Sequence, residues 1–334
     1  MRGTTRRHFL TVTAATAVAA TEQIGVYSGT AQAQRYKYQR RNPLTLWQLP
    51  NKTHSQMESY ILWADDPSDM ENGGKLIVID GGTAGDREYL VEMIRTMRAF
   101  KTGRPCREAI VDAWFLTHDH DDHVGALAKL IQEKREESKW ADLRIAAVYY
   151  SYPPVEWIDQ NEHSCLESTK FARAQLESLA EVAKLVKKDD QWTYGKLNIH
   201  ALNDFDLSIT TNAINNSTIV YRLTTPGTTL LILGDLGIEG GDRLLSLQPS
   251  ERIRSDVVQM AHHGQRGVTQ AFYEVVSPKI CLWPTPDWLW TNDPGTGPNT
   301  GPWKTLETRA WMDGMAEVPE HFVSMDGFVS LDFA

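Results

Sequence analysis

Cysteine is scarce in this chain. Only Cys106, Cys165 and Cys281 occur among 334 residues, widely spaced and with no Cys-x-x-Cys pair, which excludes a disulfide framework and leaves them as small buried apolar residues. Three common catalytic signatures are missing as well. There is no Gly-x-Ser-x-Gly elbow, no Gly-x-x-x-x-Gly-Lys phosphate loop and no Gly-x-Gly-x-x-Gly turn, so a serine nucleophile and a nucleotide cradle of either kind are not expected. No apolar run reaches the ~18 residues of a membrane span. Positive charge is short too: 34 Lys and Arg stand against 43 Asp and Glu, a net −9. Such a surface repels nucleic acid unless bound metal ions or a local patch reverse the field, and no strong basic patch is visible.

The first 33 residues are set apart from the fold. TTRRHFL is followed by the weakly apolar TVTAATAVAA and by AQA at 31–33. This segment looks like a twin-arginine export signal, removed after Ala33. The expectation is a partner in the twin-arginine machinery, a periplasmic or extracellular location, and no membrane span in the mature chain.

Residues 34–334 alternate strand and helix signals and are read as one domain without an internal linker. Apolar strands are expected at 59–64 and 75–80 as a hairpin, then a helix through REYLVEMIRTMRAF, a strand at 109–117 and an amphipathic helix in GALAKLIQEKREE. A strand at 143–150 and a long helix at 164–188 follow. The second half repeats the rhythm. LNIHAL and SIT lead to a hairpin around Pro226-Gly227 that ends at Gly234-Asp235, and a helix follows at DRLLSLQ. The strand SDVVQMA then runs into His262-His263-Gly264, followed by the helix TQAFYEVV and the strand KICLWPT. A loop at 291–302, a helix and a last hairpin in HFVSMDGFVSLDF close the chain.

What is abundant is concentrated in one place. THDHDDH at 117–123 sets His118, His120, Asp122 and His123 at i, i+2, i+4 and i+5, where a strand ends and a helix begins. Imidazole and carboxylate at that spacing can converge on one divalent ion. Asp119 and Asp121 are read as supporting or solvent-facing. His54, His163, His200 and His321 lack useful neighbours and are read as structural or surface residues.

His-x-His-x-Asp-His before Gly-Ala-Leu resembles the signature of the metallo-β-lactamase superfamily. IDGG at 79–82, LLILGDLG and QMAHHG resemble its further motifs in the same order. The resemblance implies an α/β fold, an αββα sandwich of two mixed sheets flanked by helices. It also implies two divalent ions, zinc foremost and manganese as the alternative. His118, His120, Asp122, His123, Asp235 and His262 are the implied ligands, with Asp122 and Asp235 also catalytic. His263, Asn216, Asp80 and Arg266 are further candidates for metal or substrate. Asn215-Asn216-Ser217 stands where many relatives place a metal-binding His, and Asn216 is the candidate to replace it.

The order of motifs is similar to the hydrolase domain of ComEC-like competence proteins and to phosphorylcholine esterases. A metal-bound hydroxide attacking a phosphodiester, in nucleic acid or a cell-wall polymer, is the implied reaction. The alternatives are an acyl hydrolase acting on a lactam, lactone or thioester, and a non-catalytic exported metal-binding protein. Trp283, Trp288 and Trp290 are read either as cleft lining or as packing.

Overall fold

The computed structural model describes residues 42–334. The export segment at 1–33 lies outside the described residues. In chain order the elements are β1 (Leu44–Gln48), β2 (Ser59–Asp65), β3 (Gly74–Asp80), α1 (Arg87–Thr102), β4 (Ala109–Val111), β5 (Ala113–Phe115), α2 (Asp121–Glu136), β6 (Leu143–Ile145), β7 (Val148–Tyr150), α3 (Val155–Asn161), α4 (Leu166–Glu177) and β8 (Ala183–Leu185). The second half carries β9 (Gln191–Tyr194), β10 (Leu197–Ala201), β11 (Tyr221–Thr224), β12 (Thr229–Ile232), α5 (Ile238–Leu247), β13 (Val257–Gln259), α6 (Gln270–Val276), β14 (Ile280–Trp283), α7 (Thr305–Asp313), β15 (Glu320–Val323) and β16 (Val329–Phe333), with one-turn helices left unlabelled.

Seven strands form each of two mixed sheets, in the orders β16-β1-β2-β3-β5-β7-β8 and β15-β14-β13-β12-β11-β10-β9. Their layering follows from strands that are apolar on both faces. In β2 and β3, Ile61, Trp63, Leu76 and Val78 meet the helical side, where Leu90 and Ile94 of α1 and Leu127 and Leu130 of α2 pack. The alternate residues Tyr60, Leu62, Ile77 and Ile79 face the other sheet, against Tyr221, Leu223, Leu230 and Ile232. On the far side Leu231, Val258 and Cys281 pack beneath Leu244 of α5, Phe272 of α6 and Met312 of α7. The result is an αββα arrangement of four layers. Phe115 stacks on Tyr149 at 4.7 Å between the sheets, and the Tyr221 hydroxyl donates to Leu116 O at 3.0 Å.

Several expected elements divide or shorten. The apolar run 109–117 is two strands, because the Asp112 carboxylate accepts from Leu76 N and Arg98 Nη1 and breaks the ladder there. β4 then pairs with β6 in a separate two-stranded sheet while β5 pairs with β3 and β7. The expected helix 164–188 ends at Glu177, and residues 183–185 instead extend the first sheet beside β7. SIT at 208–210 is not a strand. The closing hairpin is not formed: β15 runs parallel to β14 in one sheet, and β16 pairs antiparallel with β1 in the other. Of the three cysteines only Cys281 is fully buried; Cys106 and Cys165 are partly exposed.

Candidate metal centre

Strand ends bring the polar clusters together, at the edge where α/β sheets offer ligand sites. β3 stops at Asp80, which is fully buried with φ +53. Its Oδ1 accepts from Thr117 N at 2.9 Å and its Oδ2 from Thr117 Oγ1 at 2.7 Å, so it ties down the loop that follows β5. In that loop His120 is extended (φ −71, ψ 150) and precedes α2, while Asp122 and His123 occupy the helix's first turn. The i, i+2, i+4, i+5 spacing thus works because an extended half joins a helical half.

The other sheet contributes through two tight turns. Gly234 (φ +48) lets the β12 end approach β5, since a Cβ there would lie 2.8 Å from Thr117 Cβ, and it delivers Asp235. After β13, His262 and His263 both hold left-handed backbone, φ +52 and +54, a strained state in non-glycine residues. Gly264 completes the turn, because a Cβ would sit 2.3 Å from the Trp283 ring.

Asp235 lies between two sets of imidazoles. Its Oδ1 is 3.2 Å from His123 Nε2, and its Oδ2 is 3.4 Å from His263 Nε2, 3.7 Å from His262 Nε2 and 3.9 Å from His118 Nε2. His118 Nε2 and His120 Nδ1 are 3.2 Å apart, and Asp122 Oδ2 is 3.2 Å from His263 Nε2. His118, His120 and Asp235 form one group whose ligand atoms lie within 4.8 Å of each other; Glu58, His123, Asp235 and His263 form another. His262 and His263 therefore face the same carboxylate from two directions.

The donor set fits divalent ions. Glu58 Oε1, His123 Nε2, His263 Nε2 and Asp235 Oδ1 are buried with no hydrogen-bond partner, and buried polar atoms are rarely left so. The nitrogens facing away from this space are held: His123 Nδ1 lies 2.8 Å from Asp80 Oδ2, and His263 Nδ1 is 3.0 Å from Pro284 O. His262 Nδ1 lies 3.0 Å from Arg266 O, and His120 Nε2 is 3.2 Å from Glu162 Oε1. Backing of this kind fixes the tautomer and orientation of ligating histidines.

Charge is distributed accordingly. Burial works to raise the Asp235 carboxyl, but His263 and His123 hold it well below the usual range. Burial also opposes charge on His123 and His263, yet Asp235 beside each raises both well above an ordinary imidazole. Burial likewise opposes charge on His120, while contacts to Cys165 and Glu162 bring it to about 10. Burial holds His118 and His262 below the usual value, which leaves their lone pairs available.

Asn216 does not reach the centre. Its amide donates to Thr211 O and Glu239 Oε2 and accepts from Gly240 N, so it anchors a one-turn helix. Its neighbour Asn215 is the one at the site, with Nδ2 3.4 Å from His262 Nε2. The place Asn216 was expected to fill beside His118 and His120 is approached by His262. Arg266 is exposed. Asp119 is buried in an ion pair with Arg173 at 2.8 Å, and Asp121 is exposed.

None of the remaining histidines among the described residues approaches the cluster. His163 pairs with Asp159, His200 with Arg252 and Asp189, and His321 accepts from Trp283. The His54 carbonyl accepts from Trp288 Nε1. Trp283 is core and Trp290 carries Arg309 on its face. Trp288 and Trp303 line an open depression of about 490 Å³. Glu58 and Glu162 are the site carboxylates that the motifs did not flag.

The profile of the Metallo-beta-lactamase superfamily matches residues 70–193, a span that holds Asp80 and the His118–His123 run. ComE operon protein 3 of Bacillus subtilis (strain 168) is 27% identical over 173 residues, 52% of this chain and 20% of that protein. The matched segment thus spans about a fifth of that relative's length. Among solved structures, unliganded yeast PDE1 covers 88% of this chain and 100% of its own at 9% identity and a TM-score of 0.47. The metallo-beta-lactamase fold protein YhfI of Bacillus subtilis covers 72% and 85% at 14% identity and a TM-score of 0.42. With its ordered motifs gathered at one strand edge, the chain carries at residues 70–193 a segment similar to the metallo-beta-lactamase superfamily, whose members are mostly hydrolases using divalent metals, and it is similar over 173 residues to the ComE operon protein.

Proposed function

We propose that the chain is an exported, two-metal phosphodiesterase. The observation that carries this reading is Asp235, set between two groups of imidazoles. His118, His120 and His262 would hold one ion, Asp122, His123 and His263 the other, and Asp235 would be shared. Ions bound there, zinc or manganese, would supply Lewis acidity toward a phosphoryl oxygen and ease the ionisation of water.

The chain's own residues supply position and proton transfer. Asp122 retains 23% side-chain exposure while His123, His263 and Asp235 have almost none, and its Oδ2 is oriented by His263. It is placed to take a proton from an attacking water and pass it toward the leaving oxygen. Asp80 and Glu162 hold His123 and His120 from behind. Arg266, exposed beside the His262–Gly264 turn, would in this reading pair with a non-reacting phosphate oxygen.

Asp or Asn here, at the position where many lactamases use Cys or His, supports a phosphodiester over a lactam substrate. Export rests on the Arg6-Arg7 segment. Among the described residues no helix is long and apolar enough to cross a membrane.

Metal-loaded protein should cleave bis(p-nitrophenyl) phosphate and at least one of single-stranded DNA and p-nitrophenylphosphorylcholine. Cleavage of a chromogenic cephalosporin with all three phosphodiesters inert would replace this reading with acyl hydrolysis.

A further inference from the structure

Glu58 immediately precedes β2 and is fully buried. Oε2 accepts from Gln259 Nε2 at 3.1 Å, while Oε1 has no hydrogen-bond partner. Among the described residues no lysine or arginine pairs with this carboxylate. His263 Nδ1 is 4.0 Å away but lies closer to Pro284 O, at 3.0 Å. A buried carboxylate without a compensating cation is strongly disfavoured. Oε1 in particular faces this buried space with no hydrogen-bond donor to satisfy it.

A bound cation would resolve it. A ligand atom of Glu58 lies within 4.8 Å of those of His123, Asp235 and His263. We propose that Glu58 is a direct ligand of the ion held by Asp122, His123 and His263, and that it makes this half of the centre prefer a hard, oxygen-seeking ion such as Mn²⁺ over Zn²⁺. This rests on the metal-centre reading above and deepens it. The two halves then differ in kind. One offers His118, His120 and His262 with the shared Asp235, a nitrogen-rich set suited to tetrahedral zinc. The other offers carboxylates from Glu58, Asp122 and Asp235 with two imidazoles, a larger and oxygen-rich set.

The test is metal content, independent of turnover. Metal-free wild type and Glu58→Gln are dialysed against equimolar Zn²⁺ and Mn²⁺ and analysed by mass spectrometry. Gln preserves shape and can still accept from Gln259. Wild type should hold both metals. Glu58→Gln should lose manganese by about tenfold or more in affinity while keeping zinc, on the scale of losing a metal-site carboxylate. Pulsed EPR of Mn²⁺ in the mixed-metal wild type should register two imidazole nitrogens, which keeps the proposal testable should the variant fail to fold. Unchanged manganese uptake in a folded Glu58→Gln, or three nitrogens on manganese, overturns the role of Glu58 alone. A wild type that binds neither metal overturns the metal centre itself.

Discussion

Two kinds of side chain make up the centre: those that face the common space and those that hold them from behind. Asp122 belongs to the first. Asp122→Asn should lower kcat on a phosphodiester by ~10²–10⁴, the range for losing a positioned proton acceptor, with little change in the metal-free melting temperature. Wild-type turnover in that variant would remove Asp122 from the reaction. Glu162 belongs to the second kind, gripping His120 Nε2 with one oxygen and accepting from Ile214 N at 2.8 Å with the other. Glu162→Gln should weaken binding of the ion held by His118, His120 and His262 about 10–100-fold, read by competition with a chelator, while leaving the fold intact. His118, His120, Asp122 and His123 were legible because they are contiguous and their spacing states a geometry. Glu58 and Glu162 were not, since each arrives from a remote segment with nothing local to mark it. The Asn216 expectation missed by one position. Neighbours on a helical turn point ~100° apart, so when 213–216 coils, Asn215 turns to His262 and Asn216 turns away.

Among the elements, α2 bears the Asp122–His123 turn at one end and an ionic anchor further along. Glu133, almost fully buried, accepts from Arg87 Nε at 3.0 Å and Trp140 Nε1 at 2.7 Å. Burial works to raise its carboxyl, but Arg87, Trp140 and Lys139 outweigh that and bring it to about 2. A carboxylate depressed in the folded state stabilises above its unfolded value of ~4.3 and loses that contribution as pH falls toward the folded one. Glu133→Gln should therefore cost ~1.5–3 kcal/mol near pH 7, with the gap closing between about pH 4 and pH 2 in denaturant titrations. A pH-independent difference would mean that packing, not charge, is lost. Strands such as β2 and β3 were readable because both their faces are apolar over six or seven residues. The splits at Asp112 and near Ala146, and the strand at 183–185, were not. They depend on hydrogen bonds to partners distant in sequence, and Ala183–Leu185 has a helix-compatible sequence that pairing with β7 overrides.

The whole molecule is closed by its last strand. β16 covers β1 over five residue pairs, and Ala334 O accepts from Gly227 N and Thr225 Oγ1 in the hairpin of the opposite sheet. Phe328, Val329, Leu331 and Phe333 are buried, so deleting residues 328–334 should remove ~6–12 kcal/mol at ~1.5–3 per side chain. That is comparable to the whole stability of a typical domain, and the shortened chain should lose its cooperative melting transition; a sharp transition at an unchanged temperature would show that β16 is dispensable. The two-layer core was implied by alternating strands and helices, whereas this return from one sheet to the other was hidden behind a sequence that reads as a simple hairpin. It also sets when the protein can fold. Thr45 and Asp332 hydrogen-bond across 287 positions, so until residues 329–333 have left the ribosomal tunnel β1 keeps an open edge. A nascent chain stalled with residues 329–333 still inside the tunnel should stay protease-sensitive, and native structure should appear once they have emerged.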